Sequence, residues 1–232
     1  MNKNSKPESK AKLFALGNFP YDFVRVTGGP GALLWLRPKR IYSNENAKRR
    51  IRGGALLISN HLGFLDPLFV MCGVWYRRHR FVCGQDLLEK NKVGTFFLRC
   101  FQCLPIDKHN PSLASIKEIT EHLKKGELVS MFPEGYISTN DNKTASFKSG
   151  MILMAMRAGV PIIPVYLKPR KNVVFSRLVM VIGERVSVTE MYGSRPTFAQ
   201  INEATALLQQ REKELELLAN GMQEPQADDS RT

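Results

Sequence analysis

The sequence is poor in everything that a cross-linked, metal-stapled or membrane-spanning chain requires. Only four cysteines occur in 232 residues: Cys72, Cys83, Cys100 and Cys103. Cys100 and Cys103 form a C-x-x-C, but neither a second pair nor a histidine pair stands at zinc-finger spacing. The four therefore read as small apolar side chains, and no metal site is expected. No stretch reaches the roughly 18 apolar residues that a transmembrane helix needs. The longest apolar patches are interrupted at Gly28-Gly29-Pro30-Gly31 and at Asp66-Pro67. The segment from Met1 to Lys12 is polar and lysine-rich and lacks the apolar core of a secretory signal. The thiols are accordingly expected to be reduced and cytoplasmic. No internal repeat is present.

Acidic residues are also scarce. There are 21 Asp and Glu against 34 Lys and Arg, a net charge of +13. Composition is otherwise ordinary, at 43% hydrophobic and 24% charged, which excludes a disordered, collagen-like or multi-span chain. The length suits one domain with its own core. A basic excess of this size speaks of partners rather than fold, and nucleic acid and an anionic membrane surface are the two candidates. The excess is front-loaded: residues 1–54 carry 12 basic and 3 acidic side chains, whereas residues 201–232 carry 3 basic and 7 acidic ones.

Residues 1–12 read as a basic disordered tail and residues 221–232 as a second tail. Residues 13–54 read as a helical segment for a membrane interface, with Arg25, Arg37, Lys39 and Arg40 among or beside Phe23, Leu33, Leu34 and Trp35. A core helix covered by its own domain fits the same pattern. The Gly-Gly-Pro-Gly stretch is expected to split this segment into two short helices. From residue 55 to 220, strands and helices alternate. Ala55–Ser59, Arg80–Cys83, Leu128–Phe132, Pro161–Leu167 and Leu178–Ile182 read as strands. Helices are expected from Pro67 to about Tyr76, over Val93–Phe101, after Ser112 up to Gly126, over Ser149–Ala158 and within Pro196–Ala219. The pattern implies a single α/β domain, a mixed and mostly parallel sheet covered by helices and preceded by the N-terminal amphipathic segment.

Two constellations carry chemistry. The first is Asn60-His61-Leu62-Gly63-Phe64-Leu65-Asp66-Pro67, between a strand and a helix, where open α/β sheets place their sites. A loop containing Gly63 lets Asp66 fold back on the His61 ring. A carboxylate on one imidazole nitrogen fixes the tautomer and makes the other nitrogen more basic. His61 is thus a candidate general base with Asp66 as its orienter, and with no Ser or Cys in the loop the base would act directly on a substrate hydroxyl. The alternative is that Asp66 caps the helix and His61 packs. The second constellation is Phe132-Pro133-Glu134-Gly135 at another strand end, with Ser138, Lys143 and Lys148 beside it. A third motif, Val160-Pro161-Ile162-Ile163-Pro164-Val165, has no reactive group and would line a wall. His79, His109 and His122 read as surface residues. Arg77, Arg78 and Arg80 read as a basic cluster for phosphates or a solvated face, and Met151, Met154 and Met156 as core.

The order N-H-x-x-x-x-D, F-P-E-G, V-P-I-I-P-V resembles the glycerolipid acyltransferases of the 1-acyl-glycerol-3-phosphate acyltransferase family, with about 70 and about 27 residues between successive motifs. Leu104-Pro105-Ile106-Asp107-Lys108 looks like a fourth family block, and Phe147-Lys148-Ser149-Gly150 like the stretch after F-P-E-G. The resemblance covers residues 30–185. It implies transfer of a fatty acyl group from acyl-CoA or acyl-carrier protein to a lysolipid hydroxyl, most simply 1-acyl-glycerol-3-phosphate giving phosphatidate in phospholipid biosynthesis. His61 would be the base and Asp66 its holder. Lys108, Glu134, Gly135, Ser138 and Lys148 would surround the acceptor and its phosphate. No cofactor beyond the acyl donor is implied.

One departure stands out. The family motif usually continues Thr-Arg-Ser, whereas here it continues Tyr136-Ile137-Ser138. That removes a bidentate phosphate clamp, and Lys108 stands where the family has Arg. Lys143, Lys148 or Arg99 would then supply the charge. Another lysolipid or aminolipid acceptor, or a non-catalytic lipid-binding relative, are the alternatives this raises. The resemblance also turns the basic excess toward lipid: an anionic membrane as partner, no nucleic acid, and a peripheral place on the cytoplasmic face of the cell membrane. Residues 1–36 are expected to act as a docking segment separable from the catalytic block.

Overall fold

The structure, a computed structural model, describes residues 18–87, 92–107, 109–137, 147–172, 175–193 and 195–221, without the side chains of residues 92–94 and 97. The strands are β1 (Lys39–Tyr42), β2 (Ala55–Ser59), β3 (His79–Gly84), β4 (Leu104–Ile106), β5 (Leu128–Met131), β6 (Ile162–Leu167) and β7 (Val179–Ile182). The helices are α1 (Phe19–Leu36), α2 (Asp66–Gly73), α3 (Lys92–Cys100), α4 (Leu113–Lys124), α5 (Gly150–Ala158), α6 (Val188–Tyr192) and α7 (Phe198–Gly221). The expected α/β class holds: the seven strands form one mixed sheet in the order β1-β7-β6-β2-β5-β3-β4. β6, β2, β5, β3 and β4 run parallel, while β7 and β1 run the other way.

β2 is buried throughout because both faces of a parallel sheet are covered. Its side chains alternate between two cores. Ala55 and Leu57 join Val70, Val165, Leu167 and Met180 under α1 and α2. Leu56 and Ile58 join Ile119, Leu123, Met151, Ile152 and Leu208 under α4, α5 and α7. Met151 and Met154 are core, as read from the sequence. Local signals act where expected: the Ser112 hydroxyl accepts from the Ser115 amide at 3.0 Å to cap α4, and Gly159 closes α5 in the left-handed region.

The N-terminal segment departs from expectation. α1 is one continuous helix that contains Pro30, and residues 39–42, inside the region expected to be helical, form edge strand β1. The glycines serve packing rather than a break. A Cβ on Gly29 would fall 1.8 Å from the Trp75 ring, so only a glycine lets the helix lie on that indole. Tyr21 and Leu36 are buried in the core. The Tyr21 hydroxyl accepts from the His79 amide at 3.0 Å, and Asp22 receives Arg78 through two bonds of 2.7 and 2.6 Å. Arg25 bonds the Trp75 carbonyl and lies over its ring. Phe19–Leu36 is therefore packed into the fold, whereas residues 1–17 of the expected docking segment lie outside the described residues. The opposite face of α1 leaves Phe19, Phe23, Val26 and Leu34 exposed, so the core-helix reading holds for one face and the other is bare.

The Arg77, Arg78 and Arg80 cluster is likewise structural rather than a free basic face. Arg77 donates to the carbonyls of Ile51, Gly53 and Gly126, and Arg80 pairs with Glu127. His79 is buried, not on the surface. It bonds the Ser130 hydroxyl at 2.8 Å, and burial pushes its pKa down to about 4, so it is neutral. Hydrogen bonding to Cys83 and burial raise the Cys103 thiol well above its usual range, which leaves it protonated and inert.

Removing one partner of the Asp22–Arg78 pair strands the other in a partly buried place. Asp22→Ala is expected to cost about 2 kcal/mol by urea denaturation, because an unpaired charge keeps its desolvation penalty. Truncation before residue 37 is expected to abolish cooperative unfolding.

Candidate active site

The carboxyl ends of β2 and β5 lie side by side, since Ile58 pairs with Met131 in parallel register. The two sequence constellations that follow those strands therefore meet. After β2 the chain turns through His61 to Gly63 and enters α2 at Asp66. Asp66 does not cap that helix: no side-chain cap bond forms, and Leu65 holds the N-cap position. Its carboxylate points back along the chain instead. Oδ2 accepts from the amides of Leu62 and Gly63 at 2.5 and 2.8 Å and meets His61 Nδ1 at 2.7 Å. Asp66 is 1% exposed. A buried carboxylate is tolerable only with donors gathered on it, and here three converge on one oxygen.

This geometry fixes the imidazole. With Nδ1 donating to Asp66, neutral His61 presents Nε2 as the acceptor, and Nε2 makes no hydrogen bond among the described residues. The Phe132 ring stacks on the imidazole at 4.2 Å between centroids and 15° between planes. The rings of Phe81 and then His79 continue the same series behind it. The imidazole is thus held at one nitrogen by a carboxylate and on one face by an aromatic ring, an arrangement that a general base on a substrate hydroxyl would need.

Phe132 opens the second constellation, and the structure gives it a role that sequence reading did not. Glu134 is buried in the turn that follows, and Gly135 adopts φ +78°, a conformation that favours glycine. A Cβ at Gly135 would lie 3.4 Å from Lys148 Cε and Nζ, so the Lys148 ammonium is drawn over this turn. Lys148 also acts electrostatically on Asp107 at the end of β4. Asp107, Glu134, Gly135 and Lys148 therefore gather at one end of the site. Lys108, Ser138 and Lys143 lie outside the described residues. Arg99 is exposed on α3, and Tyr136 and Ile137 are exposed beyond the turn. Phe64, in the His61 loop, is 89% exposed.

Asn60 was visible only as part of a motif. Its buried side chain brackets Leu167 of β6, accepting from the amide at 2.8 Å and donating to the carbonyl at 3.0 Å. It carries the β2–β6 pairing one residue past the strand and so anchors the start of the His61 loop. A polar Ser59-Asn60 pair closing an apolar run was the signal for it. Among the described residues, no group of three His, Cys, Asp or Glu side chains is placed to hold a metal ion.

The sequence profile of the acyltransferase family matches residues 39–168, more than half the chain. The 1-acyl-sn-glycerol-3-phosphate acyltransferase of Bacillus subtilis is 26% identical over 181 residues, which cover 76% of this chain and 87% of that protein. The enzyme of the same name from Streptococcus pneumoniae is 31% identical over 166 residues, 71% of this chain and 58% of its own length. The one from Limnanthes alba is 29% identical over 162 residues, and the match spans about half of that longer protein (54%). Among solved structures, the 1-acyl-sn-glycerophosphate acyltransferase of Thermotoga maritima superposes with a TM-score of 0.59 at 19% identity, covering 88% of this chain and 81% of that one, a likeness of fold.

The loop is expected to fail when Asp66 loses its charge. In Asp66→Asn, an amide replaces an acceptor that serves two backbone N–H groups and an imidazole. Urea denaturation should show a loss of about 1–3 kcal/mol, the cost of leaving buried donors poorly satisfied.

Proposed function

The chain belongs to the acyltransferase family, and on that premise we propose that it transfers a fatty acyl group from acyl-CoA or acyl-carrier protein to the free hydroxyl of 1-acyl-glycerol-3-phosphate, giving phosphatidate in phospholipid biosynthesis. The observation that carries this reading is the His61–Asp66 pair, with Nδ1 tied at 2.7 Å and Nε2 open. His61 Nε2 takes the hydroxyl proton as the oxygen attacks the thioester carbonyl. The C–S bond then breaks, and the imidazolium returns the proton to the departing thiolate. Asp66 holds the ring and balances the charge that appears on it, a contribution of the order of 10²–10⁴ in rate for positioned acid–base catalysis. Lys148 at the Glu134–Gly135 turn supports a phosphate-bearing acceptor at that end, together with Lys108 and Ser138 by the family resemblance. No cofactor beyond the thioester donor is needed for these steps.

The exposed apolar residues support work at a lipid surface. On α1, Phe19, Phe23, Val26 and Leu34 line one outer face. At the C-terminal end of that helix, Arg37 donates to the Phe175 carbonyl and Arg177 to the Arg37 carbonyl, so basic groups collar the stripe beside an exposed Phe175. Aromatic and aliphatic side chains with arginines at their border suit an anionic leaflet. No helix among the described residues is long and apolar enough to cross a membrane. We therefore place the enzyme peripherally, on the cytoplasmic face of the cell membrane. Exposed Ile137, where the family has Arg, favours a second acceptor class lacking a phosphate clamp, such as another lysolipid or an aminolipid.

A thiol-release assay with a panel of lysolipids and both donor types decides the chemistry. Release of free thiol with 1-acyl-glycerol-3-phosphate is expected, and His61→Ala should lower it at least about 10³-fold without changing the melting temperature by more than a few degrees. Preference for an acceptor without a phosphomonoester would replace the proposed substrate. No transfer with any acceptor would leave a lipid-binding relative.

Docking is tested separately with the pair Phe23→Ser and Leu34→Ser. Binding to anionic vesicles should fall at least about tenfold, from the loss of roughly 1.5–3 kcal/mol for each buried apolar side chain. Stability should be unchanged, since both residues face outward. Binding should also weaken as salt rises.

A further inference from the structure

The carboxyl edge of the sheet holds His61 among exposed apolar side chains. Phe64 sits on the crest of a turn closed by the bond from the Asp66 amide to the Gly63 carbonyl, at 3.2 Å. Asp66 also grips the amides of Leu62 and Gly63 just before it, so the turn holds Phe64 out in solvent. Leu65 beside it is exposed, and so are Tyr136 and Ile137 beyond the turn after β5. Ile58 pairs with Met131 and Phe132 stacks on the imidazole, so these apolar tips belong to the two loops that meet at His61. Apolar side chains grouped at the mouth of a site, instead of scattered singly, mark a surface that is covered in use. What adjoins the mouth identifies the cover. α1 starts where Tyr21 meets His79, at the amino end of β3, and ends at the carboxyl edge, where its Leu36 carbonyl accepts from the Leu178 amide at 2.8 Å. There Arg170, three residues past β6, lies over the rings of Trp35 on α1 and Phe69 on α2, at 5.4 and 5.3 Å. The Phe69 amide bonds the Leu65 carbonyl at 3.1 Å. One guanidinium thus ties the end of the α1 stripe, at exposed Leu34, to the turn that starts at Leu65. Exposed Phe175 lies on the same loop as Arg170. Arg37, Arg170 and Arg177 bond the carbonyls of Phe175, Ser176 and Arg37, with no carboxylate taking part. Apolar tips beside arginines that have no acidic partner match an anionic leaflet.

We propose that the rim of the site, formed by Phe64 and Leu65 on the His61 loop and by Tyr136 and Ile137 beyond the β5 turn, inserts into an anionic leaflet, so that His61 works at headgroup depth on an acceptor that stays in the bilayer. This rests on the proposed acyl transfer at a lipid surface and adds where the surface lies. The α1 stripe runs along the flank of the domain and meets the carboxyl edge at Leu34. The protein therefore lies tilted on that corner rather than flat on α1, and the loop that carries the imidazole is itself a lipid contact. Apolar side chains at such a boundary reach about 5–10 Å into the region between headgroups and acyl chains. The Tyr136 ring suits a level where one end of a side chain is apolar and the other wet. Ile137, which stands where the related enzymes have Arg, gives an immersed rim the apolar side chain it requires.

The experiment uses the whole protein with phosphatidylglycerol vesicles, plain or brominated on the acyl chains. Phe64→Trp is compared with the parent, so that emission from Trp35 and Trp75 is subtracted. The emission added at position 64 should fall at least about twofold on the brominated vesicles, since a side chain at this depth reaches the acyl boundary. Vesicle-bound protein in which that emission is not quenched would overturn the proposal and leave docking through α1 standing. Activity gives a second readout. Phe64→Ser combined with Ile137→Ser should lower kcat/KM for 1-acyl-glycerol-3-phosphate in vesicles at least about tenfold more than for a short-chain, monomeric acceptor. Phe64→Leu, which keeps an apolar tip, should stay within about threefold of the parent on vesicles. Equal losses on both acceptors would make the rim part of the acceptor pocket and overturn insertion. Loss of a dimer in Phe64→Ser with vesicle binding unchanged would identify a second copy of the chain as the cover and overturn it too. If the parent transfers no acyl group, the functional reading falls, while the quenching comparison still decides whether the rim enters lipid.

Discussion

One buried oxygen organises the candidate active site. Asp66 Oδ2 sits where water does not reach, and the chain folds three donors onto it. Two of these are backbone amides from the loop that carries His61, so the same contacts that make the carboxylate tolerable also shape the loop. The third is the His61 imidazole, the proposed base. Structure and chemistry are therefore not separable at this point: the imidazole is oriented because a carboxylate had to be satisfied. The loop is held at its start by Asn60 on Leu167 and at its end by the first turn of α2.

That arrangement needs a rigid platform, and the sheet order provides it. β2 lies in the middle, between β6 and β5, buried on both faces. Its carboxyl end can move only if the neighbouring strands move. Because β5 is a parallel neighbour, the turn after it rises beside the His61 loop, and the Phe132 ring closes against the imidazole. Two motifs about 70 residues apart become one surface through a single strand pairing. The lysine that arrives from the start of α5 and the carboxylates at the strand ends then give this surface an imidazole at one side and groups of mixed charge at the other.

Much of this was legible in the residues. The alternation of short apolar runs with capped helical periods marked the central strands and the Ser112 cap, because burial and capping are local rules. The His61–Asp66 geometry was also readable, as five-residue spacing across a Gly-containing turn. What escaped depended on distant partners. Lys39–Tyr42 is too polar and short to read as a strand, and becomes one only because β7 pairs with it. The Gly-Pro stretch looked like a break because nothing local shows that Trp75 lies underneath. Arg77, Arg78, Arg80 and His79 looked exposed since charge in a sequence says nothing of the carbonyls and carboxylates that await it.

α1 has one face pinned by Tyr21, Asp22 and Gly29 and another left bare. A helix anchored in this way cannot turn over to hide its bare face when no bilayer is present. In aqueous buffer the stripe of Phe19, Phe23, Val26 and Leu34 stays uncovered, and an apolar patch of this kind invites self-association. Keeping the protein disperse is thus expected to call for detergent or lipid as a surrogate cover, even though no helix among the described residues is long and apolar enough to cross a membrane. Polar substitution on that outward side would remove the patch without touching the contacts that hold the helix.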